Sequence, residues 1–447
     1  MHLRAVIVAV ALVVAPLGAN AADLVVWWEE GFYPGEDEAV RETIAAFEQD
    51  SGKQVQLTFY PDAELPDKIA AALKAGEPPD FAFGTPMGSY ISGWALDDRL
   101  VDLTDAVGHF SDLFDPDALA WWSLINQKTG QRALYALPMG RTSMHLHVWK
   151  SLMEQAGFKL ADIPKEWGAF WSFWCDEVQL AVRQALGRTD IWGIGLPMSS
   201  DVNGDTGWEF QQFWLAYEAD YVTRDGKLVI DDPRIRQKLV EAIASYTEIY
   251  RKGCTPPDSV SWSAIDNNEA FLAQRVVMTF NNSLSIPNAL KRERPGDYFE
   301  NTATIEWPVG PDGAAFPIRG NFFAAAVFKD GGHVDTAKEF VRFLVAEGWL
   351  AHYLDFAGER FMPPMPKLRE APFWLDPSDR HHMVAAMQVA LRPMQYEYGV
   401  VTGDMRYDLV WSEGIWETAV HRVAAEGISP EQAVDDAIAR IKQILAE

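Results

Sequence analysis

The chain has 447 residues, more than one ordinary hydrophobic core can serve, so two or three domains are expected. It carries 38 Lys and Arg against 64 Asp and Glu, a formal net charge of −26. That balance repels a nucleic-acid backbone or an anionic membrane surface and points to neutral or basic partners.

The first residues read as an export signal. "MHLR" supplies a basic start, "AVIVAVALVVAPLG" an apolar run too short to span a bilayer, and Ala19-Asn20-Ala21 an A-x-A cleavage signature. Residues 1–21 are therefore expected to be removed, leaving a protein exported into a periplasm. There the two cysteines, Cys175 and Cys254, meet an oxidising environment in which a disulfide persists. Their spacing leaves open whether they pair or lie apart as buried thiols.

Strands and helices then alternate. "LVVWW" (Leu24 to Trp28) is a short apolar run, and Val40, Ile44 and Phe47 mark one face of a helix stopped by Gly52. "QVQLTFY" alternates as a strand, Ile69 and Leu73 share the face of a second helix closed by Gly76, and "DFAFGT" (Asp80 to Thr85) is the next strand. A β-α-β-α-β run of this kind predicts a mostly parallel sheet covered by helices. Further on, Asp232 caps and Pro233 opens a helix striped by Ile235, Leu239, Ile243, Tyr246 and Tyr250. "SPEQ" (Ser429 to Gln432) is a capping box ahead of Val434, Ile438, Ile441 and Leu445, and the last hundred residues read as almost entirely helical.

Enzyme motifs are mostly missing. The sequence lacks a P-loop, a G-x-S-x-G elbow and H-E-x-x-H, and "GIGLPM" at Gly193 lacks the third glycine of a dinucleotide turn. His145 with His147 and His381 with His382 come without a recognisable third metal ligand and read as surface or packing histidines. No cofactor is expected. A secreted glycoside hydrolase is the best enzymatic alternative, because 64 acidic residues offer many carboxylate pairs, and that chemistry needs two carboxyls roughly 5 to 9.5 Å apart. Adjacent Glu29 and Glu30 would point to opposite faces of a strand, and nothing singles out a better pair.

Taken together, "LVVWWEEG", "ALKAGEPPDFAFGT", "YALPMGRTSMHLHVWKSLMEQAG", "AFLAQRVVMTF" and "FVRFLVAEGWLAHYL" resemble, in order, the extracellular solute-binding proteins of carbohydrate ABC transporters. The resemblance implies a two-lobed α/β fold of the periplasmic-binding-protein type, with three hinge crossings, a helical C-terminal region and a ligand held between the lobes. It puts the crossings near 138–142, 279–281 and 318–320. The N-lobe would span 22–138 and 281–318, and the C-lobe 139–280 and 319–447. It also implies a monomer that closes on its ligand without bond chemistry and docks on the transporter's permease subunits, with no nucleic-acid partner.

On that frame the stretch "RVVMTFNNSLS" (Arg275 to Ser285) carries a strand across the hinge and opens Asn281 and Asn282 onto the cleft. Other strand ends are chemically similar: Glu29 and Glu30, Thr85 with Met87, and Arg319 with Asn321. Ligands of open α/β sheets bind beyond such carboxyl ends. Trp28 at a strand end, and Trp208 after the Gly/Asp-rich "SSDVNGDTG", are the expected stacking platforms, while Trp167, Trp171 and Trp174 at i, i+4, i+7 read as core. Arg319, Arg141 and Arg360 would oppose a polyamine, and Glu29 and Glu30 a phosphorylated polyol. The mixed lining favours a neutral sugar or polyol.

Overall fold

The structure is a computed structural model, and it describes residues 22–446 apart from 32–33, 62–63, 203, 347, 357–360 and 405. The expected signal segment, residues 1–21, lies outside the described residues.

Among the described residues, eleven strands run in chain order: β1 Leu24–Glu29, β2 Val55–Tyr60, β3 Phe81–Phe83, β4 Ser123–Ile125, β5 Arg132–Leu134, β6 Ala136–Ser143, β7 His145–Trp149, β8 Trp192–Gly195, β9 Val276–Asn281, β10 Thr302–Ile305 and β11 Gly320–Val327. They form a five-stranded sheet ordered β2-β1-β3-β11-β6, a four-stranded sheet ordered β10-β7-β9-β8, and the small β4-β5 pair. β1, β2 and β3 are mutually parallel, as expected for strands joined by helical crossovers, and β11 runs antiparallel between β3 and β6. The helix Pro34–Ser51, striped by Val40, Ile44 and Phe47, covers the first sheet. Each sheet organises its own hydrophobic core, which gives the molecule two units.

The second core takes Trp167, Trp171 and Trp174 in the helical run Trp167–Val178, as their spacing predicts. Cys175 and Cys254 are joined in a disulfide that ties this run to the loop that follows the helix Pro233–Arg251. The C-terminal helices from Tyr398 to Ala446 return to the same core through Tyr407, Val410, Trp416, Val434 and Ile441.

The chain passes between units three times. β6 leaves the first sheet at Ser143 and β7 enters the second at His145, with the Met144 N–H donating to the Arg319 carbonyl at 2.8 Å. The return is at Ile318–Gly320, where β11 begins. The third passage runs between Arg369, held to Asp115 of the first unit, and Asp379, held to Tyr298 of the second.

No passage occurs at 279–281. β9 stays paired with β7 and β8, and the chain turns back within the same unit to place β10 beside β7. Ile286, Leu290, Tyr298, Ala303, Ile305, Trp307, Phe316 and Ile318 all sit in the second core, so 281–318 is part of the second unit and not of the first. The physical reason lies in the pairing of β10: its four residues are buried in register against Leu146–Trp149, an edge that the linear sequence does not advertise.

Candidate functional site

A cavity of about 320 Å³ lies between the units. That is at the small end of ordinary ligand sites. The first unit contributes Thr85, Gly88, Ser92 and Trp121, together with Asn321 at the start of β11. The second contributes Trp208, Gln211 and Trp214 from the helix Thr206–Ala216, Tyr221, and a wall built by Tyr396–Val400 and the helix Arg406–Ser412. The helix Thr206–Ala216 is buried almost all round, so only its cavity side is free to present polar groups.

Arg319 stands at the second passage with its side chain 3 % exposed. Its guanidinium lies 3.7 Å from the Trp208 ring centroid and 5.9 Å from that of Trp411, and its Nη2 is 3.8 Å from a Glu397 oxygen. Nε and Nη1 have no hydrogen-bond partner among the described residues. Burial lowers its pKa to about 10, with Glu397 opposing the shift. Its backbone is equally fixed: the N–H donates to Gln212 Oε1 at 2.7 Å while the carbonyl accepts from Met144. Glu397 and Asp408 are both raised, chiefly by desolvation, Asp408 to about 7 with the Glu397 charge adding to the effect.

Tyr398 is oriented from behind. Its hydroxyl donates to Asp220 at 2.6 Å, and Gln395 Nε2 donates to the same oxygen at 3.0 Å. The hydroxyl is thereby committed, and what Tyr398 offers the cavity is its ring.

Of the residues singled out from sequence, Thr85, Trp208, Arg319 and Asn321 are brought together on the cavity wall. Glu29 is not on the wall but stands behind it, where one carboxylate oxygen accepts from the Thr85 N–H at 2.6 Å and hydroxyl at 2.9 Å. Glu30 is exposed beyond the end of β1. Trp28 and Met87 are core residues of the first unit, Trp28 at 2 % exposure with Phe83 and Tyr353 around it. Both read as site residues because they stand at or just after strand ends, but both side chains are packed into the first core. Arg141 faces away from the cavity into a pair with Asp115.

Asn281 has a local role. Its Oδ1 accepts from the Ser283 N–H at 2.9 Å and hydroxyl at 3.0 Å, and its Nδ2 donates to Asn268 Oδ1 at 2.6 Å. It therefore fastens the turn into the helix Ser285–Glu293, an ordinary Asx-type duty. Asn282 is half-buried and does not line the cavity. Arg360 lies outside the described residues.

Sequence reasoning missed the wall formed by Tyr396, Glu397, Tyr398, Tyr407, Asp408 and Trp411. A signal was present: "YEYG" and "RYDLVW" interleave aromatics with carboxylates, and Tyr407 and Trp411 fall one helical turn apart. It is submerged in a chain with 18 Trp and 13 Tyr, most of them packing residues.

A family model described as bacterial extracellular solute-binding protein matches residues 42–379. Among solved structures, a solute-binding protein from Thermotoga lettingae bound with α-D-tagatose is similar at TM-score 0.72 and 18% identity, over 94% of this chain and 99% of that one. Maltose-bound MalE3 of T. maritima follows at 0.68 and 19%, over 94% and 99%. The sugar-binding protein MalE of Xanthomonas citri matches at 0.70 and 19%, over 95% and 97%. At these identities the likeness speaks for a shared two-lobed fold. No curated protein matches the chain.

Proposed function

The chain belongs to the bacterial extracellular solute-binding family, and from that premise we propose that it captures a sugar or polyol between its two units and delivers it to an ABC importer. The observation that carries this reading is the composition of the cavity wall: flat aromatic faces beside a guanidinium, two amides and two carboxylates. Sugars present weakly polar C–H faces and fixed hydroxyls, which need planar surfaces and mixed donors and acceptors. Relatives of this fold hold tagatose and maltose.

In this reading the lobes are 22–143 with 320–369, and 144–319 with 380–446, and Thr85, Trp208, Arg319 and Asn321 contact the ligand. A ligand touching both walls gains contacts in the closed form that the open form lacks, so binding shifts the population toward closure. The protein works in the periplasm as a monomer, without a cofactor, and its macromolecular partner is the permease.

A second reading keeps one observation in its favour. Glu397 and Asp408 are two carboxylates with raised pKa in one cavity, the raw material of a glycosidase. One experiment separates the two. The purified protein is screened by thermal shift against mono-, di- and oligosaccharides and polyols, and any bound oligosaccharide is recovered after long incubation. At about a hundred times its dissociation constant a ligand adds roughly 2.7 kcal/mol to the folded state. Recovery of the sugar intact is expected; release of shorter sugars above the protein-free control would favour the enzyme, and a flat screen across all of them would sink the sugar reading.

A further inference from the structure

Among the described residues, the cavity holds one carboxylate that no cation answers. Arg319 is the basic residue among the described lining residues, and its charge is already engaged by the Trp208 face at 3.7 Å and by Glu397 at 3.8 Å. Arg141, which from sequence was expected to oppose a cationic ligand, is spent on Asp115. Asp408 is in a different position. Among the described residues no side chain donates to its carboxylate, and Arg406, two residues earlier, is held bidentately by Asp404 with a shortest contact of 2.7 Å.

The geometry around Asp408 is that of a receptor for a small cation. Gly399, another lining residue, leaves room for the carboxylate itself: a Cβ there would stand 3.2 Å from Asp408 Oδ1. The rings of Tyr398 and Tyr407, 6.0 Å apart between centroids, and of Trp411 line the same cavity as Asp408. Aromatic faces beside an unpaired carboxylate suit an ammonium group through both charge and ring quadrupole. The raised Asp408 pKa agrees, since a half-buried carboxylate next to Glu397 is disfavoured when ionised until a cation arrives. Elsewhere the cavity calls for hydroxyls. Gln211, 7 % exposed, has its Oε1 without a partner among the described residues, as do Arg319 Nε and Nη1.

We propose that the ligand is an amino sugar, a saccharide with a free ammonium group, seated with the ammonium at Asp408 and its hydroxyls toward Arg319 and Gln211. This rests on the sugar reading above and replaces its neutral ligand by a cationic one. A phosphorylated polyol is disfavoured by the same two carboxylates.

The test uses the full exported chain in calorimetry near neutral pH with matched probes: glucosamine, N-acetylglucosamine and glucose, the corresponding galacto and manno sets, and chitosan disaccharide against cellobiose. In at least one set the free amine is expected to bind about tenfold or more tighter than its neutral counterparts. Asp408→Asn, with apo melting as the check on folding, should abolish that preference, so that the amine and neutral members of a set bind alike; Asp408→Glu should retain part of it. Neutral members binding as well as or better than the amines, or a preference that survives in Asp408→Asn, overturns the inference and leaves the sugar reading standing. Binding of spermidine alone, or of no probe and no other saccharide, sinks both.

Discussion

Asp115 is the residue on which the first unit's rear wall turns. It accepts from Arg141 Nη1 at 2.7 Å and from both terminal nitrogens of Arg369, at 2.7 and 2.8 Å. The two arginines come from β6 and from the segment that starts the third passage, and Arg141 also pairs backbone to backbone with Met362. Burial lowers the Arg141 pKa to about 10, and Asp115 is the principal group that restores it. Removing the shared partner leaves two buried guanidinium groups facing each other. Asp115→Ala is therefore expected to cost about 3 to 5 kcal/mol in chemical denaturation, far more than the loss of an exposed pair such as Arg188–Asp190. An equal effect of the two substitutions would show that the network carries no such weight.

At the scale of elements, the helix Arg380–Leu391 is held to the second sheet by buried histidines. His147 of β7 and His381 share the Thr304 hydroxyl at 3.0 and 2.8 Å, and His382 Nδ1 lies 2.8 Å from Asp379, which also caps the helix. Burial lowers His147 and His381 to about 3 and His145 well below its ordinary value. For such groups the unfolded chain takes up protons first, so the stability they contribute is complete above about pH 6.5 and is lost as pH falls from there toward 3. Each neutral histidine should add roughly 1.4 kcal/mol per pH unit to that loss. Asp205 and Glu417, raised to about 7 by burial, act in the opposite sense, contributing stability that is lost as pH rises from about 4 to 7. The two effects are separated by comparing slopes: His147→Asn should flatten the fall in denaturation free energy between pH 6.5 and 4.5 relative to the parent. An unchanged slope would return His147 to plain packing.

For the molecule as a whole, the passages decide what can move. Ile318 donates to the Pro393 carbonyl and accepts from the Gln395 N–H, both at 2.9 Å, so the second passage lies pressed between the first passage and the 393–395 segment. Gly320 makes that approach feasible, because a Cβ there would stand 2.5 Å from the Thr142 carbonyl and 2.7 Å from Met394. If the lobes close on a ligand, the radius of gyration in solution should fall when a binding sugar is added. Gly320→Ala should spread the passages, reduce that compaction and weaken binding while each lobe keeps its core. A variant that compacts and binds as the parent does would place the moving parts elsewhere.

The sequence by itself determined the local architecture and its class. Periodicity placed the helix under Val40, Ile44 and Phe47, alternation placed β2, the capping residue Asp232 opened the helix Pro233–Arg251, and the ordered motifs pointed to a two-lobed binding fold. These features are written in near neighbours, where side-chain period and caps act over a few residues. Strand ends and glycine-rich turns singled out Thr85, Trp208, Arg319 and Asn321, and the fold places these four on the wall of the cavity between the units. Only the tertiary structure decided that Asn281 caps a turn, that Trp28 and Met87 belong to the core, that 281–318 completes the second sheet, and that a wall from 396 to 412 closes the cavity. Each of those depends on which distant segment lies opposite: β10 on β7, or the C-terminal helices on Thr206–Ala216. A side chain's local pattern sets its element, while the partner across the interface sets whether that side chain packs, caps or meets a ligand.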